Sequence, residues 1–429
     1  MKACVVGLGY IGLPTAIVMA QAGIRVHGVD RSADIVDTLL SRGIHVAEPG
    51  LQDAMLQAMD KRTLTFSTKP EFADTFIIAV QTPLGPGRSP NLDYVRSAAE
   101  SIVPCLKPGN LVIVESTVPP NTIERFIIPI LGQAKLEIGK QLFVAYSPER
   151  VYPGNILSEL VGNDRIIGGV DGESSRKALR LYSRFVRGTI HTTDVGTAEL
   201  VKLMENTYRD INIAFANEMA RVAETVGVDV WEAIRLANTH PRVHMLKPGP
   251  GVGGHCIAVD PWFIVAGARG QAPLISLART INDGTPMHIV RFVESIVAGI
   301  DEPVVTLLGL SYKGNSDDTR ESPSHAIGAA LERKGYSLKR FDPYVRSGIM
   351  GNMGSASEAA ERSDCLVLLT DHDQFRDLDF GQIGDVMRTR LVLDTRNWLD
   401  AGQLAKLGFT CYRIGTPMIG SVAERGSDE

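Results

Sequence analysis

Lys2 to Gly12 reads KACVVGLGYIG, and the fold of the chain follows from it. Lys2 to Val6 has the composition of a short strand and runs directly into Gly7-Leu8-Gly9-Tyr10-Ile11-Gly12. An apolar helical pattern continues to about Ala22, and a second strand, Arg25 to Val29, ends in Asp30. Glycines at this spacing between strand and helix, with an acid closing the next strand, seat a pyrophosphate at the helix N-terminus. Gly7, Gly9 and Gly12 make the turn, and Asp30 can accept hydrogen bonds from the adenosine ribose hydroxyls. A carboxylate there repels a 2′-phosphate, so the expected cofactor is NAD rather than NADP. The plainer alternative is a tight turn without a ligand.

Outward from this unit the alternation continues. A helix is expected near Leu51 to Met59, a strand at Phe76 to Val80, a helix at Leu92 to Cys105 and a strand at Leu111 to Glu115. That is a doubly wound parallel sheet. Gln81-Thr82-Pro83 and Ser116-Thr117-Val118-Pro119-Pro120 leave at its carboxyl edge, where such sheets bind ligands. Thr82 and Thr117 are therefore candidates for cofactor or substrate contact, or ordinary loop caps. A strand at Leu142 to Tyr146 leads into Ser147-Pro148-Glu149-Arg150-Val151, which puts Glu149 and Arg150 at the same edge. A solvated loop with a surface ion pair is the alternative there.

Residues 197 to 227 form one long helical pattern without an internal Gly or Pro. Lys202, Asn206 and Arg209 fall at i, i+4 and i+7, one polar stripe on an otherwise apolar helix. The stripe is either a solvent face or a catalytic one, since a lysine near a cavity can exchange protons and an asparagine one turn away can hold a water or an alkoxide. A second helix, Val230 to Asn238, ends at Thr239-His240-Pro241-Arg242. PGPGVGGHCIAVDPWF follows, from Pro248 to Phe263, with Cys256 behind a glycine run and Asp260 four places on. The glycines allow close approach to a ligand and deliver the cysteine to a cavity. If a helix starts directly after them, Cys256 and Asp260 share a face and the helix N-terminus favours the thiolate. A buried structural cysteine is the other reading.

From Pro303 the pattern restarts without the glycine fingerprint: a strand to Leu310, a loop SYKGNSDDTRESPS, a helix near Ser324 to Lys334 and a strand Leu338 to Phe341 ending in Asp342. Strands at Cys365 to Leu369 and Leu391 to Leu393 complete a second, degenerate nucleotide-binding fold. Lys313, Arg320 and Arg396 supply positive charge where phosphates would sit. A dimerising α/β cap with a solvated basic loop is the alternative.

The 429 residues have room for two or three domains. A net charge of −5 without a basic block argues against nucleic acid. Five cysteines without CxxC spacing fit a reducing cytosol and no metal site. No apolar run suffices to span a bilayer, so a cytoplasmic protein with no membrane partner is expected. Hydride transfer from an alcohol needs no cysteine. Oxidation onward to an acid is different, because an aldehyde has no leaving hydride until something adds to its carbonyl, and a thiolate supplies a thiohemiacetal whose oxidation leaves a hydrolysable thioester.

GLGYIGLP, STVPP, SPER, ELVKLMENTYRDINIAFANE, PGPGVGGHCIAVDPWF and SYKGNSDDTRESP together resemble the UDP-glucose/UDP-mannose dehydrogenase family over almost the whole chain. Residues 237 to 265, ANTHPRVHMLKPGPGVGGHCIAVDPWFIV, are similar to its UDP-N-acetyl-D-mannosamine 6-dehydrogenase branch. The resemblance implies two Rossmann-like domains, 1–195 for NAD and 301–429 for the UDP-sugar, joined by a helical, dimerising middle domain, 196–300, that carries Cys256. It implies a four-electron oxidation with two NAD, a homodimer through the central helix and a product destined for surface polysaccharide. Cys256 would be the nucleophile and Lys202 the proton donor or acceptor. Asn206 and Asp260 would hold water and oxyanion, and Glu149 would assist thioester hydrolysis. Tyr10, Ile11, Asp30, Thr82, Thr117 and Arg320 would touch NAD. Arg150, Val151, Arg209, His240, Arg242, Gly253, Tyr312, Lys313 and Arg396 would line the sugar-nucleotide site, with Arg242 entering from a partner subunit. Tyr312 and Arg396 depart from the phenylalanine and lysine common in relatives. UDP-glucose and UDP-N-acetylglucosamine remain alternative substrates, and a catalytically silent nucleotide-sugar-binding protein is the alternative outside the enzymes.

Overall fold

The structure is a computed structural model and describes residues 1–46, 48–152 and 154–417. The chain forms two compact units, Met1–Glu205 with Trp262–Arg269, and Asn206–Pro261 with the chain from Gly270.

The first unit holds an eight-stranded sheet: β1 (Lys2–Val6), β2 (Arg25–Val29), β3 (Leu64–Ser67), β4 (Thr75–Ile78), β5 (Leu111–Val114), β6 (Phe143–Tyr146), β7 (Arg165–Gly169) and β8 (Ile190–Asp194). Its order is β3-β2-β1-β4-β5-β6-β7-β8. Alternate residues of β1 bury into different cores: Ala3 and Val5 pack with Leu13, Ile17 and Met55, whereas Cys4 and Val6 pack with Val95, Ala99 and Val112. Burial on both faces is what near-continuous apolar strands require. Register aligns the strand ends, with Val6 opposite Val29 and Ile78, Ile78 opposite Val114, and Val114 opposite Tyr146. Gly7, Asp30, Glu115 and Ser147 therefore leave from one edge.

Two features depart from the motif reading. The expected third strand is the fourth in chain order, because β3, with Thr65 exposed and Ser67 half-buried, lacks an apolar run. β7 runs antiparallel to β6, so the sheet is not wholly parallel. Its first residue, Arg165, consequently comes to the edge where the parallel strands end.

The helix Val195–Val226 supplies residues to both units. In the second unit, helices Val230–Ala237 and Pro273–Ile296 precede a wholly parallel five-stranded sheet: β9 (Val304–Leu308), β10 (Ser337–Phe341), β11 (Cys365–Leu368), β12 (Leu391–Asp394) and β13 (Thr410–Arg413). The order is β10-β9-β11-β12-β13. Ile289, Val290 and Val293 cover one face, against Val305, Leu307, Val367 and Leu393. The opposite face packs on Phe375, Phe380 and Leu404.

Candidate functional site

At the edge of the first sheet the three motif glycines have different work. Gly7 lies at φ +94° and an added Cβ would stand 2.6 Å from the Ala79 carbonyl oxygen. At Gly12 the same atom would lie 1.8 Å from the Gly7 oxygen. Both are required by the turn itself. A Cβ on Gly9 meets nothing within 4 Å, so the space it opens is available to a ligand. Ile11, at the N-cap of helix Gly12–Gln21, has no hydrogen-bonding side chain, and the helix dipole is left facing that space. The Asp30 carboxylate is fixed by the Leu8 amide at 2.9 Å and the Ser32 amide at 3.0 Å, and it remains half-buried. The Thr82 hydroxyl donates to the Thr117 carbonyl at 2.7 Å, tying two edge loops together. This cradle fits a dinucleotide. A Gly9→Val substitution is expected to raise the KM for NAD by about tenfold or more, a cost of roughly 1.4 kcal/mol or above, at an unchanged melting temperature. Unchanged saturation by NAD would show that the open space is not the pyrophosphate seat.

His45 was given no role by the motifs, yet its Nε2 lies 2.8 Å from the Leu8 carbonyl oxygen. Nothing in the local spacing marks it.

Glu149 and Arg150 do not form the solvated ion pair expected of their loop. Glu149 is buried and meets Arg165 at 3.1 Å, while Arg150 pairs with Glu205 at 2.7 Å. Arg165 also reaches Glu115 at 2.5 Å and Ser147 Oγ at 2.9 Å, and lies 4.0 Å over the Tyr182 ring. The Tyr182 hydroxyl donates to Glu115 at 2.7 Å, and Thr15, from the dinucleotide helix, donates to its other oxygen at 3.2 Å. Burial pushes the Glu115 carboxyl up and Arg165 pulls against it. The same burial drives Tyr182 far above its ordinary value, so both its proton and the guanidinium charge are retained. Val151 is half-buried beside this loop.

Along the long helix, Leu200, Met204, Tyr208, Phe215, Val222 and Val226 are exposed and recur at helical spacing on one stripe. Lys202, Asn206 and Arg209 lie on the other side. Their burial is graded: Arg209 is exposed, Lys202 half-buried and Asn206 buried. The stripe is thus not a uniform solvent face. One turn before Lys202, the buried Glu199 accepts hydrogen bonds from the Asn121 amide at 2.6 Å and the Ile123 amide at 2.8 Å. It anchors the loop that carries Thr117, and burial lifts its carboxyl to about 7.

In the second unit the Asn206 amide donates to Asp260 at 2.6 Å, both residues being buried. The helix begins only at Asp260, so Cys256 precedes it instead of sharing its face. The two are joined through the main chain, where the Asp260 amide donates to the Cys256 carbonyl at 2.8 Å. Cys256 is exposed, unlike the buried Cys4 and Cys365. A structural core cysteine is therefore not what the fold makes of it.

The glycines ahead of Cys256 approach protein. A Cβ on Gly249 would lie 2.8 Å from an Arg396 nitrogen, on Gly253 2.5 Å from Tyr312 Cβ, and on Gly254 2.8 Å from the Tyr312 ring. Gly251 rests on Pro286 and Pro323. The stretch is thus pressed against the loop bearing Tyr312, Lys313 and Arg320. Arg320 pairs with Asp318 at 2.6 Å, and the Arg396 Nε–H donates to the Leu369 carbonyl at 3.0 Å. A buried ladder supports this seat: Arg279 meets Asp210 at 2.5 Å, Asn282 donates to Asp210 at 2.8 Å, Asn217 donates to Asn282 at 3.0 Å, and the Gly249 amide donates to Asn217 at 2.9 Å. Asp210 and Asn217 lie within the ELVKLMENTYRDINIAFANE stretch but were given no role there, and Arg279 and Asn282 lie outside every quoted motif.

His240 and Arg242 lie on an exposed turn closed by two Asn238–Met245 hydrogen bonds of 3.0 and 2.7 Å. Asp342, the counterpart of Asp30, is wholly enclosed. Its oxygens accept from the amides of Leu310, Ser311, Tyr344 and Val345 and from His372. Although burial opposes it, the His372 contact and these amides bring its carboxyl down to about 2. Ser311, His372 and Asp342 are not a hydrolytic triad, since one ring nitrogen faces both partners and the group is buried.

Comparison with known proteins adds three domain matches. They are the NAD binding domain of the UDP-glucose/GDP-mannose dehydrogenase family at residues 1–186, its central domain at 196–284 and its UDP binding domain at 306–401. The mannose nucleotide in that name is GDP-mannose, which corrects the pairing given above. The chain is 46% identical over 420 residues to a UDP-N-acetyl-D-mannosamine dehydrogenase of Methanocaldococcus jannaschii, covering 96% of each chain. It is 45% identical over 413 residues to an NDP-N-acetyl-D-galactosaminuronic acid dehydrogenase of Ralstonia nicotianae, covering 94% of this chain and 97% of the relative. Among solved structures, a UDP-D-ManNAc dehydrogenase from Pyrococcus horikoshii superposes with a TM-score of 0.92 at 39% identity, covering 97% of this chain and 99% of that one.

Proposed function

Because the chain belongs to the UDP-glucose/GDP-mannose dehydrogenase family of NAD-dependent nucleotide-sugar dehydrogenases, we propose that it oxidises UDP-N-acetyl-D-mannosamine at C6 to UDP-N-acetyl-D-mannosaminuronate, with two NAD consumed. The observation that carries the four-electron chemistry is the exposed Cys256, held one turn ahead of the buried Asp260–Asn206 pair. An exposed thiol beside fixed polar groups suits a nucleophile. When bound, NAD accepts the hydride in each oxidation.

In this reading Lys202 takes the proton of the C6 hydroxyl as the alcohol becomes an aldehyde. Cys256 Sγ adds to the aldehyde carbon, and Asn206 and Asp260 steady the oxygen and the water. Oxidation of that adduct leaves a thioester. Glu149 then takes a proton from the attacking water, and the C–S bond breaks to return the thiolate. Residues 1–195 hold the cofactor, 196–300 carry Cys256 and 301–429 hold the UDP-sugar, with 418–429 outside the described residues.

The exposed apolar stripe from Leu200 to Val226 supports a homodimer through this helix. A single-chain mass by light scattering would remove that part. Five cysteines, none in a disulfide, and no helix long and apolar enough to cross a membrane among the described residues are compatible with a cytoplasmic enzyme making a surface-polysaccharide precursor.

The manno configuration is supported by the names of relatives such as the Methanocaldococcus protein. The galactosaminuronate relative, nearly as similar, favours a second reading in which the substrate is another UDP-N-acetylhexosamine. NADH released per molecule of limiting sugar separates them. Two NADH from UDP-N-acetylmannosamine alone is expected; two from UDP-N-acetylgalactosamine, UDP-N-acetylglucosamine or UDP-glucose instead would move the substrate. One from any sugar would remove the thioester step.

A further inference from the structure

We propose that Arg165 is the positioning residue of the hydrolytic half-reaction, holding the Glu149 carboxylate where it meets the water that cleaves the Cys256 thioester. The proposal rests on the reading of Glu149 as that base. Three observations carry it. The reversed direction of β7 brings Arg165, its first residue, to the edge where β6 ends and the Ser147–Glu149 loop begins. The guanidinium then spends its donors in three directions, Nη1 to Glu149 at 3.1 Å, Nη2 to Glu115 at 2.5 Å and Nε to Ser147 at 2.9 Å. Finally, its face is held 4.0 Å over the Tyr182 ring, with Arg165 only 4% exposed. A planar fork fixed on every side leaves Glu149 one orientation. Its second oxygen accepts from the Arg150 amide at 2.7 Å, closing the remaining freedom.

A lysine would keep the charge but could not bridge all three partners. In the step concerned, water adds to the thioester carbonyl, its proton passes to Glu149, and the electron pair of the C–S bond leaves on sulfur. Both hydrides have departed by then. Arg165→Lys is therefore expected to retain a burst near two NADH per subunit, to lose about 10²-fold in steady-state turnover, and to carry the sugar acyl group on Cys256 by intact-protein mass spectrometry. A merely structural role would lower burst and turnover together. That outcome, or unchanged turnover, overturns the proposal. If Arg165→Lys does not fold, Ser147→Ala removes one of the three anchors, and about a threefold or greater slowing with the same burst is expected; no slowing counts against the idea. Glu149→Gln is run beside them. Normal turnover in that variant would mean that the reading of Glu149 itself has failed, whereas a stall in Glu149→Gln with none in Arg165→Lys or Ser147→Ala would sink the role of Arg165 alone.

Discussion

A Cys256→Ala variant is expected to form sugar acid at least about 10⁴-fold more slowly than the unaltered chain, while still binding both NAD and the UDP-sugar. The thiol is exposed, and the turn it occupies is made by main-chain hydrogen bonds from Val259 and Asp260 to the Cys256 carbonyl, which alanine keeps. Stability should therefore change by no more than about 0.5 kcal/mol. The first oxidation needs only a proton acceptor and a hydride acceptor, so traces of aldehyde with one NADH apiece are the predicted residue of activity. Cys256→Ser should fare little better, because a hydroxyl is far less ionised than a thiol near neutral pH and its ester is a poorer acyl donor. Chromatographic assay of uronate alongside NADH absorbance checks the point. Undiminished uronate from the alanine variant would remove the covalent mechanism.

The largest expected effect on stability lies elsewhere, at Arg279. Its side chain is buried against Asp210, which is itself fully enclosed, and both sit on helices that carry the glycine stretch through Asn282 and Asn217. Burial alone raises the Asp210 carboxyl, and the guanidinium opposes that rise. Replacing Arg279 by methionine leaves a carboxylate inside without its counter-charge, for which about 3–5 kcal/mol of destabilisation is expected. Replacing both, Arg279→Met with Asp210→Leu, should recover much of the loss, since an apolar pair of similar volume avoids desolvating two charges. Urea unfolding of the single and double variants decides this. A single variant within about 1 kcal/mol of the parent would show that the pair is not what holds these helices.

What local spacing could reveal was the part of the chain whose chemistry is local. Gly7, Gly9, Gly12 and Asp30 stand within one strand–turn–helix–strand unit, and the restart after Pro303 repeats its pattern. Arg165 was invisible because its partners Glu115 and Glu149 are 50 and 16 residues away and meet it only through an antiparallel strand. The strand itself offered no cue, since RIIGG is brief and ends in two glycines. β8, IHTTD, is mostly polar and half exposed at the sheet's edge, where no alternation is enforced. Arg279 and Asp210, 69 positions apart, look like ordinary surface charges on their helices until the chain between them is folded. The glycines of 249–254 were legible as sites of close approach but not in what they approach. The sequence pattern cannot distinguish a ligand's surface from that of Tyr312 or Pro286.

Asp30 and Asp342 end the second strand of two similar sheets, and the difference between them has an evolutionary consequence. Asp30 keeps a face toward solvent, so a cofactor contact there, as proposed, would be made by a residue of the framework. A change of cofactor there means altering the framework. Asp342 has turned inward and become part of the masonry, surrounded by backbone amides and a histidine. On the proposed reading, discrimination by the second sheet would then fall to its loops, those of Tyr312, Lys313 and Arg396. Loops can be exchanged without disturbing strands, and a lineage built on this scaffold can acquire new sugar nucleotides while its redox half stays as it was.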